Sequence, residues 1–371
     1  MNVPVNVSVT ATLPPRAGHR VPGRRPLRAG RFSGVWRPRS AAVCLVGLGL
    51  LILAVAVNTG RGEYPISIAE VLGVLAGEGD DGQRFVILEL RLPRALTGAL
   101  VGAALAVAGA ITQAVARNPL ASPDILGINA GAGAAAVAVI VLGGSYGSIS
   151  GVVGDVGVPV AALAGGLLTA VLIYLLAWRQ GIQGYRLVLV GIGINAVLTS
   201  AISWLLIVAD VNDAGRATVW LVGSLNARGW EHVVPVGLAL AVLVPLALLL
   251  VFVLGALQFS DDTARGLGVR VEGARTVLLL VAVGLASVAT ASAGLIAFVA
   301  LVVPQVALRL VGSARPPLLA SAVLGAALVV ISDVVARTAF GSVELPVGIV
   351  TAVLGAPYLL YLIARRREAR A

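Results

Sequence analysis

Apolar and polar positions along this chain separate into long blocks instead of alternating at the short periods of a soluble core. Apolar runs fall at 41–58, 95–116, 128–143, 157–178, 187–209, 233–257, 276–292, 294–312, 318–336 and 345–364, divided by stretches rich in Arg, Asp, Gly and Pro. Most approach the ~20 apolar residues needed to cross a hydrocarbon core ~30 Å thick. In that solvent each segment must satisfy its own backbone N–H and C=O groups, so the runs predict helices. The stretch 276–312 is too long for one crossing at ~1.5 Å per residue, and it divides near Ala293 and Gly294. The predicted fold class is an all-α polytopic membrane protein with ten transmembrane helices.

Composition narrows the class further. Hydrophobic residues make up 58% of the 371 and charged ones only 12%, and the mean hydropathy is +0.99, which excludes a soluble globular domain. All 27 basic residues are Arg. Without Lys there is no nucleotide-binding P-loop and no Schiff-base chemistry, so any ATP hydrolysis belongs to another chain. One Cys and two His leave no intrachain disulfide and no structural zinc site, and no cofactor is expected. A pI near 11.0 could suggest nucleic acid, but aromatic-interleaved basic patches are missing. Arginine here reads as membrane topology.

With ten spans and an inside N-terminus, twenty Arg fall on the cytoplasmic side and seven outside, namely Arg61, Arg84, Arg91, Arg94, Arg216, Arg228 and Arg337. Eleven of the seventeen acidic residues fall outside. Nine spans would export the terminal Arg365, Arg366, Arg367 and Arg370, against the positive-inside bias. Both termini are therefore expected in the cytoplasm of a multi-pass plasma-membrane protein. Residues 1–40 read as a basic, disordered tail, 41–366 as the transmembrane domain, and 367–371 as a second short tail. Arg24 and Arg25 only weakly resemble a twin-arginine export signal, because Pro follows them and the apolar run starts some fifteen residues later.

Few segments carry chemistry. Gly98, Gly102, Ala106 and Ala110 recur every four residues, a small-residue face that permits close helix packing or sliding. The string Gly131-Ala132-Gly133-Ala134 has no preceding strand and no acidic residue at the proper distance, so it reads as packing glycine and not a dinucleotide fingerprint. The connection Arg117-Asn118-Pro119-Leu120-Ala121-Ser122-Pro123-Asp124-Ile125-Leu126-Gly127 is polar and stiffened by Pro, suiting a plain loop, a gate or a docking surface. In the internal loop 258–275, Asp261 and Asp262 favour a helix start while Gly266 and Gly268 favour its end. That predicts a compact knob for a cleft on a soluble partner. Asp333 and Arg337 stand at i, i+4, where a helical ion pair is the simplest reading and a proton relay the alternative.

These segments resemble a known family, the permease subunits of type II ABC importers for ferric siderophores, haem and cobalamin. The likeness runs over about 41–366 and rests on Arg91-Leu92-Pro93-Arg94, Gly102-Ala103-Ala104-Leu105-Ala106, Arg117-Asn118-Pro119-Leu120-Ala121, Leu126-Gly127, Gly266-Leu267-Gly268-Val269, Asp333-Val334-Val335-Ala336-Arg337 and Glu344-Leu345-Pro346-Val347-Gly348-Ile349-Val350-Thr351, continued by Gly355-Ala356-Pro357. Within the family the chain looks most like ferric-enterobactin-type permeases, through Leu176-Ala177-Trp178-Arg179, Gly181-Ile182, Gly191-Ile192-Gly193-Ile194, Gly223-Ser224-Leu225-Asn226 and Asp261-Asp262-Thr263-Ala264.

The resemblance implies the ten-helix type II importer permease fold and a permease, not an enzyme, moving a ferric siderophore of catecholate type, with haem or cobalamin as alternative cargo. It implies as partners a second, similar permease in a heterodimer, two ABC ATPase subunits or domains, and an extracytoplasmic binding protein. By the same likeness, Arg91, Arg94 and Arg337 dock the binding protein. Asn118 and Leu120 form a gate, with Gly184 and Tyr185 as a looser second one. The element coupling to the ATPase is Asp261, Asp262, Ala264, Arg265, Gly266, Leu267, Gly268 and Val269. Departures from the family pattern are Gln305 after Pro304 in place of His, Leu295 after Gly294 in place of Pro, and Leu308 in place of Arg. An ion-coupled secondary transporter is the rival from another class, and it needs paired charges or broken helices near the midplane.

Overall fold

The computed structural model describes residues 26–29, 32–35, 37–62, 66–124, 127–144, 152–178, 184–339, 341 and 343–368. Strands β1 (Pro26–Ala29) and β2 (Phe32–Val35) pair antiparallel with Ala29 opposite Phe32, a register leaving the two-residue connection common in hairpins. This hairpin falls inside the segment 1–40 expected to be a basic tail, and residues 1–25 lie outside the described residues. The helices follow as α1 (Pro38–Gly60), α2 (Ile68–Leu75), α3 (Asp81–Phe85), α4 (Leu92–Val115), α5 (Ile128–Gly144), α6 (Val152–Ala177), α7 (Gly184–Val208) and α8 (Val211–Val222). Next come α9 (Trp230–Leu249), α10 (Val251–Ala256), α11 (Asp261–Gly266), α12 (Val271–Ala293), α13 (Val299–Val311), α14 (Leu318–Thr338) and α15 (Val347–Glu368).

Each predicted apolar run contains a helix. Among the described residues, seven helices are long and apolar enough to cross a membrane, and the other three runs hold the shorter apolar helices 128–143, 299–311 and 347–361. Helices α4, α12 and α14 are buried along most of their length, whereas α1, α7 and α9 keep most of their apolar surface outward. With lipid as apolar as the side chains, hydrophobicity alone does not choose the interior; small residues that let backbones approach do. The face at Gly98, Gly102, Ala106 and Ala110 does this against α14. A Cβ added at Gly102 would overlap the Gly325 carbonyl oxygen, and one at Gly325 would overlap that of Gly102.

The long run 276–312 is divided where expected but not into two adjoining helices. Gly294, at φ +75°, ends α12, and α13 starts only at Val299 after Phe298 at φ +67°. The second helix is thus 13 residues long, about 20 Å at ~1.5 Å per residue, preceded by an irregular lead-in. That lead-in exists because three backbones meet at Gly294. The Ser224 N–H donates to the Ala293 carbonyl at 2.9 Å, and the Gly348 N–H to the Gly223 carbonyl at 3.2 Å. A Cβ on Gly348 would run into the Val222 carbonyl oxygen. Gly348→Ala is therefore expected to cost at least about 1–3 kcal/mol through overpacking, visible as a lower thermal midpoint in detergent; an unchanged midpoint would show that the junction can spread.

The apolar runs do not predict α2, α3 and α8. Ser67 and Glu70 form a reciprocal capping box on α2. Helix α8 buries Ala217 and Trp220 on one face and packs on α5.

Candidate functional site

Two polar clusters lie at opposite ends of the bundle. The first gathers where α1 ends and α4 begins. Residues Val86–Arg91 form a wide π-helical turn in which the Leu92 N–H reaches back to the Ile87 carbonyl, and Pro93, with no N–H to give, starts the regular helix. This turn aims Arg91 and Arg94 across the bundle. Arg94 holds Asp333 in a fork, Nη2 to Oδ1 at 2.9 Å and Nε to Oδ2 at 3.1 Å, and Asn58 Nδ2 donates to the same carboxylate at 2.9 Å. Asp333 is 1% exposed. Arg91 donates to the Thr59 carbonyl at 2.9 Å. Arg337 donates to the carbonyls of Asn58 at 2.8 Å and Arg61 at 3.0 Å, so two cations cap the carbonyl end of α1, where the helix dipole favours positive charge.

The i, i+4 ion pair of Asp333 with Arg337 is present at 4.0 Å, but Arg94 comes closer, at 2.9 Å, while Arg337 Nη2 is held by the carbonyls of Asn58 and Arg61. The arginines assigned to docking do come together at one end, but they are not open surface cations. The Arg94 side chain is 11% exposed and that of Arg337 8%, and Arg91 is likewise buried. The outermost member is Glu344, 48% exposed, which reaches Arg94 Nη1 at 3.3 Å.

The second cluster joins the α4–α5 connection to the segment carrying α11. Helix α11 starts at a side-chain cap, Ser260, whose Oγ accepts from the Thr263 N–H at 3.3 Å. It ends in a Schellman turn: the Gly268 N–H bonds the Arg265 carbonyl, the Val269 N–H bonds the Ala264 carbonyl, and Gly268 takes φ +81°. Ala264 faces inward, fully buried, while Leu267 is 63% exposed at the tip. Asp262 pairs outward with Arg265 at 3.2 Å.

Asp261 turns the other way. Its Oδ1 accepts from Arg275 Nη2 at 2.8 Å and also from Arg117 Nη2. Arg117, at φ +50°, follows the end of α4 and further donates through Nε to the Leu257 carbonyl at 2.7 Å. Partial burial alone would push the Asp261 carboxyl up, but the hydrogen bonds and charges of Arg275 and Arg117 outweigh it and hold the group below the ordinary carboxylate range.

The residues expected to form a gate adjoin this link. The Asn118 Oδ1 accepts from the Leu120 N–H at 3.0 Å, an Asx turn that stiffens the connection. Asn118, Pro119, Gln258, Gln305 and Leu308 line one cavity of about 360 Å³, so the α4–α5 connection, the segment leading into α11 and two departures from the family pattern share a wall. Gln305 donates to Gln113 at 2.7 Å, and Gln113 donates to the Leu301 carbonyl at 2.9 Å. Farther along the connection, Asn129 donates to Asp124 and accepts from Thr290 at 3.1 Å, and burial pushes the Asp124 carboxyl up to about 7. Gly184 and Tyr185 lie in the first turn of α7, and their side-chain surroundings lie outside the described residues. Sequence reasoning missed Asn58 and Gln113, named Glu344 and Arg117 only as parts of longer motifs, and gave Arg275 no role beyond topology.

A sequence profile described as the FecCD transport family matches residues 50–365. The chain belongs to this family. Its relatives include the ferric enterobactin transport system permease protein of Escherichia coli K12, 39% identical over 326 residues, covering 88% of this chain and 96% of that one. The iron(3+)-hydroxamate import system permease protein of Bacillus subtilis 168 is also 39% identical, over 317 residues, covering 85% and 94%. Among solved structures, a metal-chelate type ABC transporter in an inward-facing conformation matches with a TM-score of 0.75 at 27% identity, over 88% of this chain and 99% of that one. This FecCD protein is thus a multi-pass transport permease and not an enzyme.

Proposed function

We propose that this FecCD protein is the permease subunit of an ATP-driven importer that carries a ferric siderophore, of catecholate type, into the bacterial cytoplasm. The likeness to the enterobactin permease supports the cargo class, and the Asp261 link supports the drive. In this reading the Asp333 end faces outward and the α11 end, with both termini, faces the cytoplasm. A second, similar permease completes the pathway, and two ABC ATPase subunits or domains seat α11 by its exposed Leu267. Closure of the ATPases displaces α11. The Asp261–Arg117 contact passes that displacement to the connection holding Asn118 and Leu120, biasing the helices between two packings.

An ion-coupled transporter fits less well, because the one carboxylate deep in α14 is already held by Arg94 and Asn58. The test is uptake into vesicles containing the chain with its partner subunits, energised by ATP or by an ion gradient alone, with catecholate and hydroxamate ferric chelates supplied in parallel. ATP-dependent catecholate uptake is expected. Gradient-driven uptake without ATP would overturn the importer reading, and uptake of the hydroxamate alone would overturn the cargo.

Docking of an external binding protein is read as charge exchange, in which a partner carboxylate takes the place of Glu344 on Arg94. Glu344→Gln is then expected to tighten docking by up to about fivefold, the scale of a rim ion pair, and to reduce its salt sensitivity little. Weaker docking in a surface-binding assay would count against that surface.

A further inference from the structure

A second cavity, about 350 Å³, opens at the α11 end of the bundle and is separate from the gate. Its polar wall carries Arg37, Ser40, Ser313 and Arg315, and its apolar wall includes Val251, Phe252 and Leu319. Among the described residues no carboxylate lines it. Nor does Arg37 or Arg315 have an acidic partner among them; the Arg315 guanidinium instead lies over the Phe252 ring, 6.0 Å from its centroid. Two transmembrane helices begin here, α1 after Arg37 and α14 after Pro317, and neither has a side-chain cap. Their first-turn N–H groups add to the positive potential set by the arginines.

Position decides which anion such a site takes. Helices α1 and α14 both begin at this wall, so the cavity lies at the boundary between headgroups and hydrocarbon. Phe252 is 68% and Leu319 53% exposed, which continues the apolar wall onto the lipid-facing surface. A free anion has no use for that wall, whereas an acyl chain does. We propose that this cavity binds the phosphate of an anionic phospholipid, held by Arg37 and Arg315 with the acyl chains along Phe252 and Leu319. Only the choice of leaflet rests on the importer orientation. The site would tie the start of α1 to the α13–α14 connection in membranes rich in acidic lipid.

The experiment uses the full transporter complex in neutral detergent, titrated with phosphatidylglycerol, with phosphatidylcholine of the same chains, with glycerol phosphate and with inorganic phosphate, and reads binding by native mass spectrometry. Wild type is expected to bind phosphatidylglycerol saturably and more weakly as salt rises. The pair Arg37→Gln and Arg315→Gln is expected to lose about thirtyfold in affinity, from ~1 kcal/mol per arginine near a charged surface. Arg84→Gln at the opposite end should change nothing. Equal binding of phosphatidylcholine, salt-independent binding, or phosphate binding as tight as the lipid's would overturn the proposal. If the double Gln variant does not fold, Arg37→Lys with Arg315→Lys and the wild-type salt titration decide: binding within about threefold for the Lys pair supports the site, on the same per-charge scale, and a larger loss overturns it.

Discussion

Replacing Asp333 with alanine is expected to destabilise the fold by about 3–5 kcal/mol, the cost of leaving buried positive charge without its partner. The carboxylate is the common acceptor for Arg94 and Asn58, so its loss strands both. The measurement is thermal unfolding in detergent beside Asp262→Ala, which removes an exposed pair and should stay within about 0.5 kcal/mol. A stronger check is to remove both charges. Arg94→Met with Asp333→Leu is expected to recover most of the loss, because an apolar pair of similar volume has no stranded charge. If Asp333→Ala is no worse than Asp262→Ala, the cluster does not hold this end together.

The second large effect is functional. Asp261→Asn keeps the shape of the cap region but weakens the link to Arg117 and Arg275, and it is expected to reduce ATP-driven uptake by about two- to thirtyfold, the range of 0.5–2 kcal/mol for residues that transmit coupling. Basal ATP hydrolysis by the assembled complex should persist. Combining it with Arg117→Gln should cost less than the sum of the two, since both break one contact. Full additivity would mean that Asp261 acts only through Arg275. Because the folded carboxyl sits below its ordinary range, its contribution is present above the unfolded value of about 4 and fades as pH falls through the folded one. The link is therefore charged at neutral pH, and mild acidification should not imitate the variant.

The spans were legible because lipid imposes a long apolar run on every crossing, and the end of α12 was legible because glycine marks it. The short helix α11 was legible too, from Asp261 and Asp262 at its start and Gly268 at its end, although the cap itself is Ser260. What could not be read was pairing across distance. Asp333 had a local candidate in Arg337, yet its main partner Arg94 is 239 residues away. Arg117 and Asp261 are 144 residues apart, and a charge count sees both only as charges on one side of the membrane. Helix α8 was missed because burial of Ala217 and Trp220 depends on α5 lying beside them, which no window of sequence contains.

The Asp333 cluster also sets a timetable for biogenesis. Asn58 and Arg94 are translated long before Asp333, which follows Arg94 by 239 residues, or about 10–50 s at ~5–20 residues per second. Until α14 is inserted, the nascent chain carries a guanidinium at the membrane without its permanent counter-ion. The first helices must therefore wait in a provisional arrangement, held by water, lipid phosphate or the insertion machinery, and the last third of the chain completes the first.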